Sequence, residues 1–173
     1  MMGINKIGGD FDMAGITYTP IGIIKSPFDE PKGTPIQPKG AMDVEGEIEL
    51  YPEFQDGLKD IEGFSHLILI YHFHLAASGD LKRTPFMDDE EHGIFAIRAP
   101  SRPNPIGLSI VRLVEVKDNV VSIKDVDIVN GTPLLDIKPS VQEFDVRTDT
   151  QLGWLEKNIH KVDYSKDDGR FTN

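Results

Sequence analysis

Phe95-Ala-Ile-Arg-Ala-Pro-Ser-Arg-Pro-Asn-Pro-Ile-Gly-Leu-Ser109 is the stretch around which the rest of the chain reads. It opens as a short apolar run carrying one charge, Arg98, then turns through Pro100, Pro103 and Pro105 and leaves by way of Gly107 into a second apolar run, Leu108 to Val116. Each proline fixes its own φ and restrains the residue before it, so Ser101 to Ile106 has little backbone freedom to lose on binding. The guanidiniums of Arg98 and Arg102 and the amide of Asn104 on such a stiff loop suit a carboxylate, a phosphate or a purine edge. A proline-rich hairpin with surface arginines would carry the same residues.

Working outward, the 173 residues are most simply one domain, long enough to bury about two thirds of the unfolded surface. The absence of cysteine excludes disulfides, thiolate metal sites and cysteine nucleophiles. No apolar run reaches the roughly 20 residues needed to span a bilayer, and Met1 to Gly15 has no apolar centre, so a soluble cytoplasmic protein is expected. Acidic residues outnumber basic ones by 29 to 18, for a net charge of −11. Such a surface repels nucleic acid at long range and attracts a small cation, so any RNA substrate requires a local basic patch.

Read in order, residues 1–15 form a flexible N-terminal segment, and Ile16 to Lys25 reads as a first strand. Pro27, Pro31, Pro35 and Pro38 make Ser26 to Gly40 a long loop. A strand over Val44 to Leu50 and a short helix over Pro52 to Ile61 follow. His66 to Leu75 reads as one strand, which puts His66, His72 and His74 on one face and Leu67, Leu69, Tyr71 and Phe73 on the other. Ala76 to His92 reads as a polar loop and Ile94 to Ala99 as a strand. Leu108 to Val116 and Val120 to Val129 flank a tight turn at Asp118-Asn119. Gly131-Thr-Pro133 turns the chain into a strand over Leu134 to Lys138. From Thr148, Leu152, Leu155 and Ile159 recur at helical spacing behind a capping Asp149, with a loose tail from Val162. The expected fold class is all-β, a small closed or nearly closed β-barrel over 16–147, with a short helix, and with one C-terminal helix and tail over 148–173.

His72 and His74 at i,i+2 on a strand have a spacing that suits a metal, yet no acidic partner stands at a diagnostic distance and a buried structural histidine fits equally. Gly-x-Ser-x-Gly, Gly-x-Gly-x-x-Gly and the phosphate-loop motif are all missing from the sequence.

Three blocks resemble those of the TsaA-like (TrmO-type) family of S-adenosylmethionine-binding β-barrel tRNA methyltransferases. They are Ala99-Pro-Ser-Arg-Pro-Asn-Pro-Ile-Gly-Leu-Ser109, Asp127-Ile-Val-Asn-Gly-Thr-Pro-Leu-Leu-Asp-Ile-Lys-Pro139 and Phe64-Ser-His-Leu-Ile-Leu-Ile-Tyr-His-Phe-His74. The resemblance runs from about Ile16 to Phe144 and implies a barrel that binds S-adenosylmethionine without a Rossmann fold. It places the cofactor against Pro35, Ile36, Gln37, His74, Leu75, Arg98, Leu108, Asn130, Gly131, Thr132 and Pro133, with no metal. Ile36 stands where the family commonly has arginine, and Asn130 where it more often has aspartate. The resemblance further implies N6-methylation of threonylcarbamoyladenosine at position 37 of tRNA by a homodimer, with RNA held by Lys32, Lys39, Lys82, Arg83, Arg102 and Arg112. Methyl transfer asks mainly for donor and acceptor held in line, which agrees with the lack of an obvious acid–base pair. Two rivals remain: a module that binds S-adenosylmethionine without catalysis, and a histidine-based metal hydrolase.

Overall fold

In the computed structural model, which describes residues 15–77 and 79–172, six antiparallel strands close a barrel. They are β1 (Gly22–Lys25), β2 (Glu45–Leu50), β3 (His66–His72), β6 (Ile106–Lys117), β7 (Val120–Lys124) and β8 (Thr132–Pro139), paired in the order β1-β2-β7-β6-β3-β8. Two short strands, β4 (Lys82–Arg83) and β5 (His92–Gly93), form a separate ladder, and α1 (Gln142–Asp145) is a single turn. The expected flexible segment 1–15 lies, apart from Gly15, outside the described residues.

The barrel follows from alternation. Leu67, Leu69 and Tyr71 of β3 point inward with Ser109 and Val111 of β6, Val121 and Ile123 of β7, Leu134 of β8, Ile24 of β1 and Ile48 of β2. Each contributes apolar area whose removal from water is worth about 1.5–3 kcal/mol per large side chain. Gly107 lies opposite Tyr71, and a Cβ there would sit 2.1 Å from the ring, so the absence of a side chain is what lets the tyrosine enter the barrel.

Several elements differ from expectation for local reasons. The first strand starts at Gly22, not Ile16, because pairing begins only beyond Pro20, and Ile16 is exposed. The helix over Pro52 to Ile61 is two 3-10 turns, Pro52–Leu58 and Ile61–Gly63, separated where Asp60 adopts φ 67. Strand β3 ends at His72, where the Phe73 N–H donates to the Pro105 carbonyl (2.8 Å) and the chain bends. His74 therefore leaves the face shared by His66 and His72. Ile94 to Ala99 is not a strand: Ile94–Ala96 is a 3-10 turn that buries Ile94 and Ile97 three residues apart and leaves Phe95 79% exposed. Strand β7 stops at Lys124, since Asp125 adopts φ 70. Only Gly131, at φ 77, belongs to the Gly-Thr-Pro bend, because Thr132 and Pro133 are already in β8.

The expected C-terminal helix is two 3-10 turns, Gly153–Lys157 and Ile159–Lys161. Gly153 is at φ 58 and no side chain caps either turn, so a nine-residue segment lacks what nucleates an α-helix. The tail beyond Val162 is docked, not loose. The Asp167 backbone exchanges hydrogen bonds with the 33–34 backbone (Gly33 N–H to the Asp167 carbonyl, Asp167 N–H to the Thr34 carbonyl, both 2.8 Å), and Phe171 is 2% exposed. Phe171, Ile94, Ile97 and Ala99 form a second, small core flanked by Phe86 and Trp154.

Candidate functional site

Between the barrel mouth and this second core lies a cavity of about 1090 Å³. Six stretches far apart in sequence wall it: the loop around Pro35, the bend after β3, Pro85 to Met87, the proline-stiffened loop, the run from Asp127 to Thr132, and the docked tail. The lining is largely apolar, through side chains such as Ile36, Phe73, Leu75, Ile97 and Phe171.

Of the expected contacts, Pro35, Ile36, Gln37, His74, Leu75, Arg98, Leu108 and Thr132 line this cavity. Asn130, Gly131 and Pro133 do not. The Asn130 side chain braces the preceding loop instead, accepting from the Ser26 N–H and donating to Asp29 (3.3 Å each). Pro133 borders a smaller cavity of about 510 Å³, shared with His72. The His72 and His74 pair is thus divided between two cavities, and no cluster of three or more metal-ligating side chains occurs among the described residues.

Arg98 donates to Gln37 Oε1 (3.0 Å), while Gln37 Nε2 donates to the Ile36 carbonyl (2.7 Å). The guanidinium is therefore aimed across the mouth, and the proline loop and the 35–37 loop are joined by a polar bridge. Burial, then the neighbouring His72, holds the His74 imidazole below its usual pKa, so it is neutral near pH 7. Its Nδ1 lies 3.5 Å from Thr132 Oγ1, which donates to the Val129 carbonyl (2.6 Å).

The residues that sequence reasoning missed lie deeper. Ser109 Oγ donates to Asp127 Oδ1 (2.7 Å) and, its proton so used, accepts from Tyr71 OH (3.0 Å). Both Tyr71 and Asp127 line the cavity. Burial pushes the Asp127 carboxyl up to about 7, against the Ser109 hydrogen bond, its own backbone N–H and the Arg98 charge. Burial also raises the Tyr71 phenol, and the Asp127 charge adds to it. The available signal was Asp127 itself, an acid between Val126 and Ile128 just ahead of the Asn-Gly-Thr-Pro bend.

Tail residues form the remaining wall. Trp154 Nε1 donates to the Ala96 carbonyl (2.8 Å), and its ring stacks on His92 at 4.8 Å. Lys161 donates to the Met87 carbonyl (3.0 Å), and Arg170 lies 5.2 Å over the Phe86 ring. Of the basic residues expected to meet RNA, Arg112 is held by Asp125 (2.6 and 2.8 Å) and Asp43 (2.5 Å), Arg83 pairs with Asp80 and Lys39 with Asp163. Arg102 lines the cavity and donates to the Ile97 carbonyl (3.3 Å).

Residues 23–146 match the family model of the tRNA-methyltransferase O N-terminal domain. A probable S-adenosyl-L-methionine-binding protein of Pyrococcus abyssi is 64% identical over 156 residues, 90% of this chain and 85% of that protein. The tRNA (adenine(37)-N6)-methyltransferase of Escherichia coli is 37% identical over 137 residues, 73% of this chain and 58% of that enzyme. The crystal structure of TrmO from Pseudomonas aeruginosa superimposes with a TM-score of 0.68 at 36% identity, covering 81% of this chain and 62% of that one. The chain thus spans about six tenths of the Escherichia coli enzyme and of the solved structure.

Proposed function

The chain belongs to the tRNA-methyltransferase O N-terminal domain family, and from that premise we propose that it is an S-adenosyl-L-methionine-dependent methyltransferase acting on adenosine 37 of tRNA. The observation that carries the reading is the convergence of Gln37, His74, Arg98, Leu108 and Thr132, from separate segments, on one cavity. At about 1090 Å³ the cavity is at the upper end of the roughly 300–1,000 Å³ of small-molecule pockets, a size that suits a nucleoside cofactor.

The lining fits the cofactor. Apolar walls suit the adenine and methylene parts, and Arg98 suits its carboxylate. The bound cofactor supplies an electrophilic methyl group. The chain's residues supply position: the prolines hold the loop, the Arg98–Gln37 bridge sets its distance from 35–37, and the tail shields one side from water.

We infer N6 of threonylcarbamoyladenosine as the acceptor and a cytoplasmic homodimer as the working form. Supporting the dimer, the outer face of β3 and β6 carries Ile68, Ile70, Ile106, Leu108 and Ile110, and Leu108 is 53% exposed while also lining the cavity. No helix among the described residues is long and apolar enough to cross a membrane. The net charge of −11 makes RNA contact depend on cations at the mouth, among them Arg98 and Arg102. The Pyrococcus abyssi relative bears the name of a binding protein, so binding and catalysis need separate measurement. Calorimetry with S-adenosyl-L-methionine is expected to give saturable binding, and labelled methyl to pass to tRNA carrying the threonylcarbamoyl group and not to tRNA lacking it. Binding without transfer to either tRNA would leave a binding module.

A further inference from the structure

Resting on the methyltransferase reading, we propose that Asp127 is the catalytic base, the group that takes the proton from the acceptor nitrogen. The exocyclic nitrogen of an adenine shares its lone pair with the ring, and a carbonyl on it withdraws the pair further. The product retains one proton fewer on that nitrogen, so the proton must go somewhere as the new bond forms. Transfer breaks the bond between the methyl carbon and sulfur, with the electron pair left on sulfur, and joins that carbon to N6. The N6 proton passes to the Asp127 carboxylate and leaves from there to solvent.

Three observations single out Asp127. Its carboxyl borders the cavity at the end of the row from Tyr71 through Ser109, a row that fixes its orientation from the barrel side. No ion pair within 4 Å engages it among the described residues, unlike Asp125 two positions earlier, which is committed to Arg112. Its proton affinity is set near neutrality by burial, which suits a base that must both accept and release a proton. The titratable and charged groups facing it are the Tyr71 phenol and the Arg98 guanidinium, with the neutral His74 imidazole on the same cavity. Of these, the phenol is held protonated by burial and the guanidinium carries no lone pair to offer.

The test compares wild type, Asp127→Asn and Ser109→Ala, each measured for S-adenosyl-L-methionine binding by calorimetry and for methyl transfer to modified tRNA from pH 5.5 to 9. Carboxyl-carbon NMR of the protein alone supplies the Asp127 titration. Expected are a wild-type rate that rises through about pH 7 in step with the NMR titration, and an Asp127→Asn variant that binds the cofactor within about threefold yet transfers about a hundredfold more slowly. Ser109→Ala removes a hydrogen bond that favours the charged form, so both the titration and the acid limb of the rate are expected to move to higher pH. Asp127→Asn with near-wild-type transfer overturns the proposal, as does binding lost in parallel with rate, which would make Asp127 a cofactor ligand. A wild type that binds but methylates no tRNA overturns the enzyme reading and the proposal together, so the two failures are distinct.

Discussion

The barrel core and the small core beside it are built in opposite ways. Leu67 and Leu69 on β3 meet Ser109 and Val111 on the adjoining β6, in a register that the period-two pattern of each strand dictates. Ile94, Ile97 and Ala99 instead meet Phe171, more than seventy residues away and outside any barrel strand, and nothing periodic links the two segments. One core is held by continuous hydrogen-bonded ladders, the other by single contacts such as Trp154 to Ala96 and Lys161 to Met87. The cavity lies where the two meet. Tyr71 on β3, with Asp127 tied to it through Ser109 from the connection after β7, thus faces a wall assembled from loops, the arrangement expected where a ligand must enter and leave.

The largest expected effect separates the two cores. Leu69 is fully buried in the barrel, so Leu69→Ala is expected to lower the stability of the global transition by about 2–5 kcal/mol in urea denaturation. Phe171→Ala empties a comparable volume, yet is expected to shift that transition by less than about 1 kcal/mol while hydrogen exchange quickens across 92–99 and 153–172. Equal shifts from both substitutions would show one cooperative unit and erase the distinction.

The same contrast explains what could be read from the sequence. The alternation in β3 and the Asp118-Asn119 turn between β6 and β7 are local patterns, and both stand where they were expected. Ile94 to Ala99 misled because a short apolar run fits a strand or a 3-10 turn, and only the distant Phe171 decides between them. The tail misled for the same reason: its charged composition hides Val162 and Phe171, the two side chains that dock it. Of the eight expected site residues that line the cavity, His74, Leu108 and Thr132 lie in or beside barrel strands that set their position, whereas Pro35, Ile36, Gln37 and Arg98 are carried by loops joined through the Arg98–Gln37 bridge. Tyr71 and Ser109 escaped notice because each reads as an ordinary inward strand position, and the acid Asp127 acquires its chemistry only from meeting them.

An intermediate effect sharpens the boundary from the barrel side. With its pKa raised to about 7, Asp127 keeps a proton in the folded chain between about pH 4 and 7 that the unfolded chain has already released. Stability contributed by this group therefore falls as pH rises across that window and levels off above it. Asp127→Asn removes the dependence, so its stability relative to wild type is expected to rise by roughly 2–4 kcal/mol between pH 4.5 and 8. A difference that stays flat with pH would mean that the carboxyl is solvated in the native state.

The smallest expected change in stability belongs to the loop wall. Arg98 is exposed and meets the protein through Gln37 Oε1, so Arg98→Ala is expected to leave folding stability within about 0.5 kcal/mol. Binding should respond more, since a hydrogen bond to a charged group is worth about 1.5–3 kcal/mol, and S-adenosyl-L-methionine affinity is expected to fall about tenfold or more by calorimetry. Gln37→Ala keeps the guanidinium but frees it, so a few-fold loss is expected from that change alone. If Gln37 acts by aiming Arg98, the double variant binds no more weakly than Arg98→Ala, because there is nothing left to aim. Additive losses would instead mean that each side chain touches the ligand independently, and the bridge between the two loops would then be incidental to binding.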